Sequence, residues 1–62
     1  MKSVRWILQS LNFDYAHVVV YSKNGNFPLG GGTPGYVVKR FGDYLVVSSS
    51  IQDNILHLCI NL

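Results

Sequence analysis

The sequence predicts a small, strand-rich α+β domain: a short N-terminal helix followed by four to five antiparallel strands, forming a sheet or a small barrel. Three observations support this fold class. The length of 62 residues allows one domain, residues 1–62. The first apolar residues recur at helical spacing, and later segments combine valine-rich runs with apolar–polar alternation.

The first segment, residues 3–11, is predicted to be helical. From Val4 to Leu11 its apolar residues follow the spacing i, i+3, i+4 and i+7, which is one face of a helix. Ser3 is in the position of an N-cap. A strand is the alternative, because Val4, Trp6 and Leu8 also alternate, but the helical pattern is favoured.

A first hairpin is predicted after the helix. Residues 15–22 contain three consecutive valines and two tyrosines, which suit a strand. The dipeptide Asn24-Gly25 can adopt the positive φ angles of a type I′ turn. Residues 26–29 would return as a short strand at a sheet edge, because Pro28 has no N–H to donate.

A second hairpin is predicted from residues 36–41 and 44–50, joined by Gly42 and Asp43. The last segment, residues 56–62, alternates apolar and polar residues, which favours a half-buried strand. A helix is the alternative there, because Ser50 and Asp53 have the spacing of a capping box.

Between the two predicted hairpins lies a glycine-rich segment. Gly30 to Gly35 matches the pattern G-x-G-x-x-G, which in dinucleotide-binding folds precedes a helix. A strand is expected to follow here, and the chain is too short for two βαβ halves. The segment is therefore interpreted as a flexible connection. If it bound an anion, Lys39 and Arg40 on the adjoining strand would assist.

The composition predicts a protein that associates with itself or with an obligate partner. Hydrophobic residues form 48% of the chain and charged residues only 13%, against about 25% in typical domains. So few charges leave neutral or apolar surface exposed, and exposed apolar surface marks interfaces. A monomer with a face rich in serine and asparagine is the alternative.

Catalysis, a metal site and a cofactor are not expected. Cys59, His57 and His17 are too few and wrongly spaced for a closed zinc site. Cys59 and His57 would share one strand face, about 6–7 Å apart, which is too far for a direct hydrogen bond. The carboxylates each suit an isolated turn or cap: Asp14, Asp43 and Asp53. The chain is therefore predicted not to be an enzyme.

An intracellular, non-exported protein is expected. The single cysteine suits a reducing compartment. The N-terminal apolar stretch is interrupted by Gln9 and Ser10, too early for a secretory signal, and no apolar run approaches the length of a membrane span. Small size and low charge would also suit an accessory or inhibitory protein of a phage or virus.

The leading functional hypothesis is a protein–protein interaction module, homodimeric, that binds through a sheet face or edge. Tyrosine, tryptophan and arginine dominate interface energetics. The candidate partner-binding residues are Trp6, Tyr21, Tyr36, Arg40 and Tyr44. The alternative is a small β-barrel that binds single-stranded nucleic acid, which the net charge of +2 permits. Its candidate residues are Lys23, Tyr36, Lys39, Arg40 and Phe41.

Overall fold

A computed structural model describes residues 2–11, 17–24 and 27–62. Among these residues, two helices pack on one face of a five-stranded sheet and leave the other face open. The α+β class is therefore confirmed. In chain order the elements are β1 (Lys2–Ser3), α1 (Val4–Ser10), β2 (His17–Ser22), β3 (Pro28–Gly32), α2 (Pro34–Phe41), β4 (Leu45–Gln52) and β5 (Ile55–Ile60).

The sheet is mixed and open, in the order β1-β4-β5-β2-β3. The central strand β5 runs parallel to its neighbour β2, and every other pair of neighbouring strands is antiparallel. The predictions of an all-antiparallel sheet and of a closed barrel were therefore wrong. The reason is topological: α2 lies between β2 and β5 in the chain and packs on the sheet, and a parallel pair requires such a crossover.

The core lies between the helices and the sheet. Strand residues that alternate along the chain point into it, with Val18 and Val20 from β2 fully buried. The intervening β2 residues His17, Val19 and Tyr21 lie on the opposite face, because successive side chains of a strand alternate. The buried residues form one apolar cluster: Val4, Leu8, Val18, Val20, Val37, Phe41, Val46, Leu56, Leu58 and Ile60.

Helix α1 forms as predicted. Ser3 is its N-cap, and the Ser3 hydroxyl accepts a hydrogen bond of 3.1 Å from the Trp6 N–H. Val4 and Leu8 are buried from this helix, while Leu11 is half-buried against the core. The helical spacing therefore identified the buried face correctly.

Helix α2 replaces the strand predicted for residues 36–41, and that prediction was wrong. Thr33 caps the helix and Pro34 occupies its first turn, where a missing N–H costs nothing. Val37 and Phe41, four residues apart, enter the core. The β-propensity of the valines is overridden by the cap and by this spacing. Gly42 and Asp43 consequently connect a helix to β4 and do not close a hairpin.

The glycine-rich segment is structured. Residues Pro28–Gly32 form β3, which pairs antiparallel with β2 at the edge of the sheet, as Pro28 predicted. The interpretation as a flexible connection was wrong, as was the expectation that a strand follows Gly35. The N–H groups of Tyr36 and Val37 donate to the Thr33 hydroxyl and carbonyl, at 3.4 and 3.0 Å. Thr33 thus takes up donors that an anion at this helix start would need.

Gly31 and Gly35 provide a matched test of this assignment. A Cβ added at Gly31 would lie 2.8 Å from the Val18 carbonyl oxygen, so Gly31→Ala should destabilise the fold by about 1–3 kcal/mol. A Cβ at Gly35 meets nothing within 4 Å, so Gly35→Ala should stabilise α2 by up to about 1 kcal/mol. Urea denaturation measures both, and equal effects would contradict a paired β3.

A tight turn closes the hairpin between β4 and β5. Asp53 and Asn54 have φ angles of 54° and 64°, the left-handed conformation of a type I′ turn. The favoured strand reading of the last segment is therefore confirmed, and the capping-box alternative at Asp53 was wrong. The other predicted type I′ turn includes Gly25, which lies outside the described residues.

Candidate protein-binding edge

The outer edge of β4 is mostly uncovered. β1 pairs with β4 only at Leu45 and Val46, and a register shift follows between Val46 and Ser48. Beyond that point, residues 48–52 have a partner strand only on the β5 side within the described part of the chain. Such an edge presents backbone donors and acceptors to another strand.

The turn at the end of β4 determines which backbone groups point outward. Across a type I′ turn, the Gln52 carbonyl accepts from the Ile55 N–H, so these two residues form a hydrogen-bonded pair. Pairs alternate along an antiparallel ladder, which makes Ser50 another inward-bonded residue. Ser49 and Ile51 therefore direct their N–H and C=O groups away from β5, toward the outer edge of β4.

An apolar groove lies beside this edge, between α1 and β4. Its volume is about 350 Å³. Trp6 on α1 is 50% exposed and Ile51 on β4 is 54% exposed, so the groove carries unburied apolar surface. The ammonium of Lys2 lies 4.5 Å from the centre of a Trp6 ring. The lining residues are Trp6, Ile7, Ser10, Leu11, Ser49, Ser50, Ile51 and Leu56.

The edge and the groove are uncharged. β4 contains no charged residue, and none lines the groove. On α1 the only charged residue is Arg5, whose Nη1 lies 2.6 Å from Asp43 Oδ1 in an exposed ion pair. An exposed pair of this kind contributes little to stability. Because β4 and the groove carry no charge, this edge suits an uncharged partner strand.

The opposite edge of the sheet differs from β4. There β3 is short, begins at Pro28 and consists largely of glycine. Proline and short strands are common protections against edge-to-edge pairing. The contrast singles out β4 as the edge with pairing capacity.

The open face of the sheet carries a second, more polar depression of about 360 Å³. Tyr21 and His57 stack there, with ring centres 5.8 Å apart, and share a hydrogen bond of 3.3 Å between the Tyr21 hydroxyl and His57 Nδ1. The Cys59 thiol donates to the Ser22 carbonyl at 3.4 Å. His57 and Cys59 thus each bond to a different group, and they form no nucleophile–base pair.

The predicted partner-binding residues lie on separate surfaces. Trp6 lines the groove beside β4, whereas Tyr21 lies on the open face. Tyr36 and Arg40 lie together on α2, where Arg40 Nη1 donates to the Tyr36 hydroxyl at 3.2 Å. Tyr44 packs near Phe41, with ring centres 6.3 Å apart. Only Trp6 belongs to the edge site.

The sequence analysis did not identify Ser49 and Ile51, whose N–H and C=O groups point away from β5 at the outer edge of β4. The available signal was the run Leu45–Gln52, which contains no charge and no proline. Long edge strands usually carry a charged residue or a proline, which prevents pairing with another edge. The run did not reveal its edge position, because strand order depends on contacts distant in sequence.

The candidate nucleic-acid residues are only partly available for binding. Phe41 is 6% exposed, so most of its ring packs in the core and is not presented to a base. Arg40 lies over this buried ring, 5.0 Å from its centre. Tyr36 and Lys39 are exposed on α2. Lys23 donates to Asn61 Oδ1 at 2.7 Å.

The described residues contain no cluster of three or more metal-ligating side chains. Neither described helix is long and apolar enough to cross a membrane. Among residues 2–11, 17–24 and 27–62, the fold and the site define a two-layer α+β domain in which the β4 edge carries no charge and no proline. Comparison with protein-family models, curated proteins and solved structures finds no match to the chain.

Proposed function

We propose that this protein is a protein–protein interaction module that binds a partner strand along the outer edge of β4. The observation that carries the proposal is the uncharged segment of β4, beside an apolar groove, whose outer edge pairs with no strand in the described part of the chain. In strand addition, backbone hydrogen bonds supply affinity and alternate side chains supply specificity.

The two requirements of strand addition meet at this edge. Ser49 and Ile51 offer outward backbone groups that a partner strand can pair with. Their side chains lie on the helix-covered face, where the groove begins. A partner side chain on that face would therefore enter the groove beside Trp6, which makes the groove the source of specificity.

Trp6 is the only tryptophan and therefore reports binding directly. We expect a short peptide of alternating valine and threonine to shift Trp6 emission to shorter wavelength, because a paired strand excludes water from the groove. The titration is made at the lowest protein concentration that gives a usable signal. The same peptide, N-methylated at alternate residues, lacks the donors for pairing and should leave the emission unchanged.

Equal shifts with both peptides would contradict strand addition, because apolar contact alone would then explain binding. At a protein concentration where the chain has the mass of one chain, the absence of a shift with either peptide would also count against the proposal. Tyr21→Phe is the matched control variant, since Tyr21 lies on the open face away from the groove. It should bind the unmodified peptide as the parent chain does.

Binding of single-stranded nucleic acid remains the alternative, and it now depends on α2. Its exposed residues on α2 are Tyr36, Lys39 and Arg40, while Phe41 is buried and Lys23 lies exposed after β2. Binding of a labelled single strand that weakens steeply with salt would favour it, because phosphate contacts release counterions.

A further inference from the structure

We infer that the partner strand on β4 is the β4 strand of a second copy, paired antiparallel about a two-fold axis at Ser50. This inference rests on the proposed strand addition and names its partner. The pairing would join two five-stranded sheets into one continuous sheet. Both copies of α1 would then lie on the same side, on either side of the axis.

The direction of the backbone groups defines this register. Ser49 and Ile51 point outward from β4, and antiparallel pairing requires outward residues to face outward residues. Placing Ser49 opposite Ile51 of the partner satisfies this twice, once on each side of the axis. The two Ser50 residues then face each other, and Ser48 faces Gln52. The pairing uses the regular part of β4 after the register shift.

Side-chain size is complementary in this register. Each Ile51, 54% exposed in the single chain, lies opposite the small Ser49 of the other copy on the helix-covered face. The space over Ser49 belongs to the groove that Trp6 borders. Ile51 of one copy therefore fills the groove of the other, and two half-exposed apolar residues become buried.

The absence of charge on β4 is compatible with pairing to a second copy. In this register Ser50 faces Ser50 of the other copy, so a charge at that position would face a like charge across the axis. Residues Leu45–Gln52 carry none. Two positively charged side chains lie on the neighbouring β1 and α1, and each has a partner. Arg5 forms an ion pair with Asp43, and the Lys2 ammonium lies over the Trp6 ring.

The surface area is also compatible with a dimer. A standard interface buries about 800 Å² on each partner. The chain exposes 3935 Å², so such an interface would cover about a fifth of it. With only 13% charged residues, the chain leaves apolar surface exposed, and pairing with a second copy would remove part of that surface from water.

The test introduces a charge at Ser50, positive in one variant and negative in another. Sedimentation equilibrium measures the mass of each variant and of their mixture. The parent chain should have the mass of two chains. Ser50→Lys alone and Ser50→Glu alone should each weaken pairing by about tenfold or more, because like charges face each other at the axis. An equimolar mixture should restore the mass of two chains, because the opposite charges then pair.

Asn24→Lys and Asn24→Glu, in an exposed turn away from β4, are the controls and should leave the mass unchanged. If the Ser50 variants fail to fold, the double variant Ser48→Lys with Gln52→Glu serves instead. It should pair more tightly than the parent at low salt and lose the gain at high salt.

Three outcomes would overturn the inference. A parent chain with the mass of one chain at every concentration would exclude a second copy, while the peptide titration would still decide strand addition. A parent dimer that neither Ser50 substitution weakens would place the interface elsewhere. A mixture that stays dissociated after each single variant has dissociated would likewise refute the proposed register.

Discussion

Replacing Leu58 with alanine is expected to remove a large part of the free energy of unfolding of the protein. Leu58 is fully buried in β5, between β4 and β2, and it belongs to the single apolar cluster. Removing such a side chain costs about 2–5 kcal/mol, from lost burial and from the cavity that remains. Domains of this size have a total stability of only roughly 3–9 kcal/mol.

Urea denaturation followed by circular dichroism, at fixed protein concentration, measures this loss. Leu62→Ala is the matched control, because Leu62 follows β5 and is 53% exposed. Its effect should remain within about 0.5 kcal/mol. A Leu58→Ala midpoint close to that of the parent would mean that the strand alternation assigns the wrong face to the core.

The alternation in β5 is the clearest case in which the sequence predicts the structure. Leu56, Leu58 and Ile60 recur every second residue and are all buried. Their burial follows from local geometry alone, since successive side chains of a strand point to opposite faces. Helix α1 was predictable for a similar reason, because its cap and its apolar face are both local patterns.

The region from Pro28 to Phe41 was not predictable by the same reasoning. Gly31 fits β3 because a side chain there would meet the backbone of β2, a contact between residues distant in sequence. Val37 and Val38 suit a strand by propensity, yet Thr33 and Pro34 start a helix before them. Tertiary packing and a helix cap outweighed the intrinsic preference of two residues.

The candidate site was only partly predictable. Trp6 was identified by its chemistry, as a large apolar residue suited to an interface, and it lies in the groove. Ser49 and Ile51 were not identified, because their importance comes from the position of β4 in the sheet. The order of strands depends on the parallel pairing of β2 with β5, which no local pattern reveals.

Ser50→Pro should destabilise the fold, whereas Ser49→Pro should leave the fold intact and abolish pairing. The Ser50 N–H points toward β5, by the alternation that begins at Gln52. Ser50→Pro removes that hydrogen bond and leaves the His57 carbonyl without its donor. We expect a loss of about 1–3 kcal/mol of stability, seen as a lower urea midpoint.

Ser49→Pro removes an N–H that faces outward, the one position type where a sheet tolerates proline. The fold should therefore keep its stability to within about 1 kcal/mol. Pairing should be lost, because the proline ring projects into the space that the partner strand occupies and the donor is missing. Sedimentation equilibrium should then give the mass of one chain. Equal destabilisation by both prolines would refute the assigned backbone directions. A stable Ser49→Pro dimer would remove the edge of β4 from the interface.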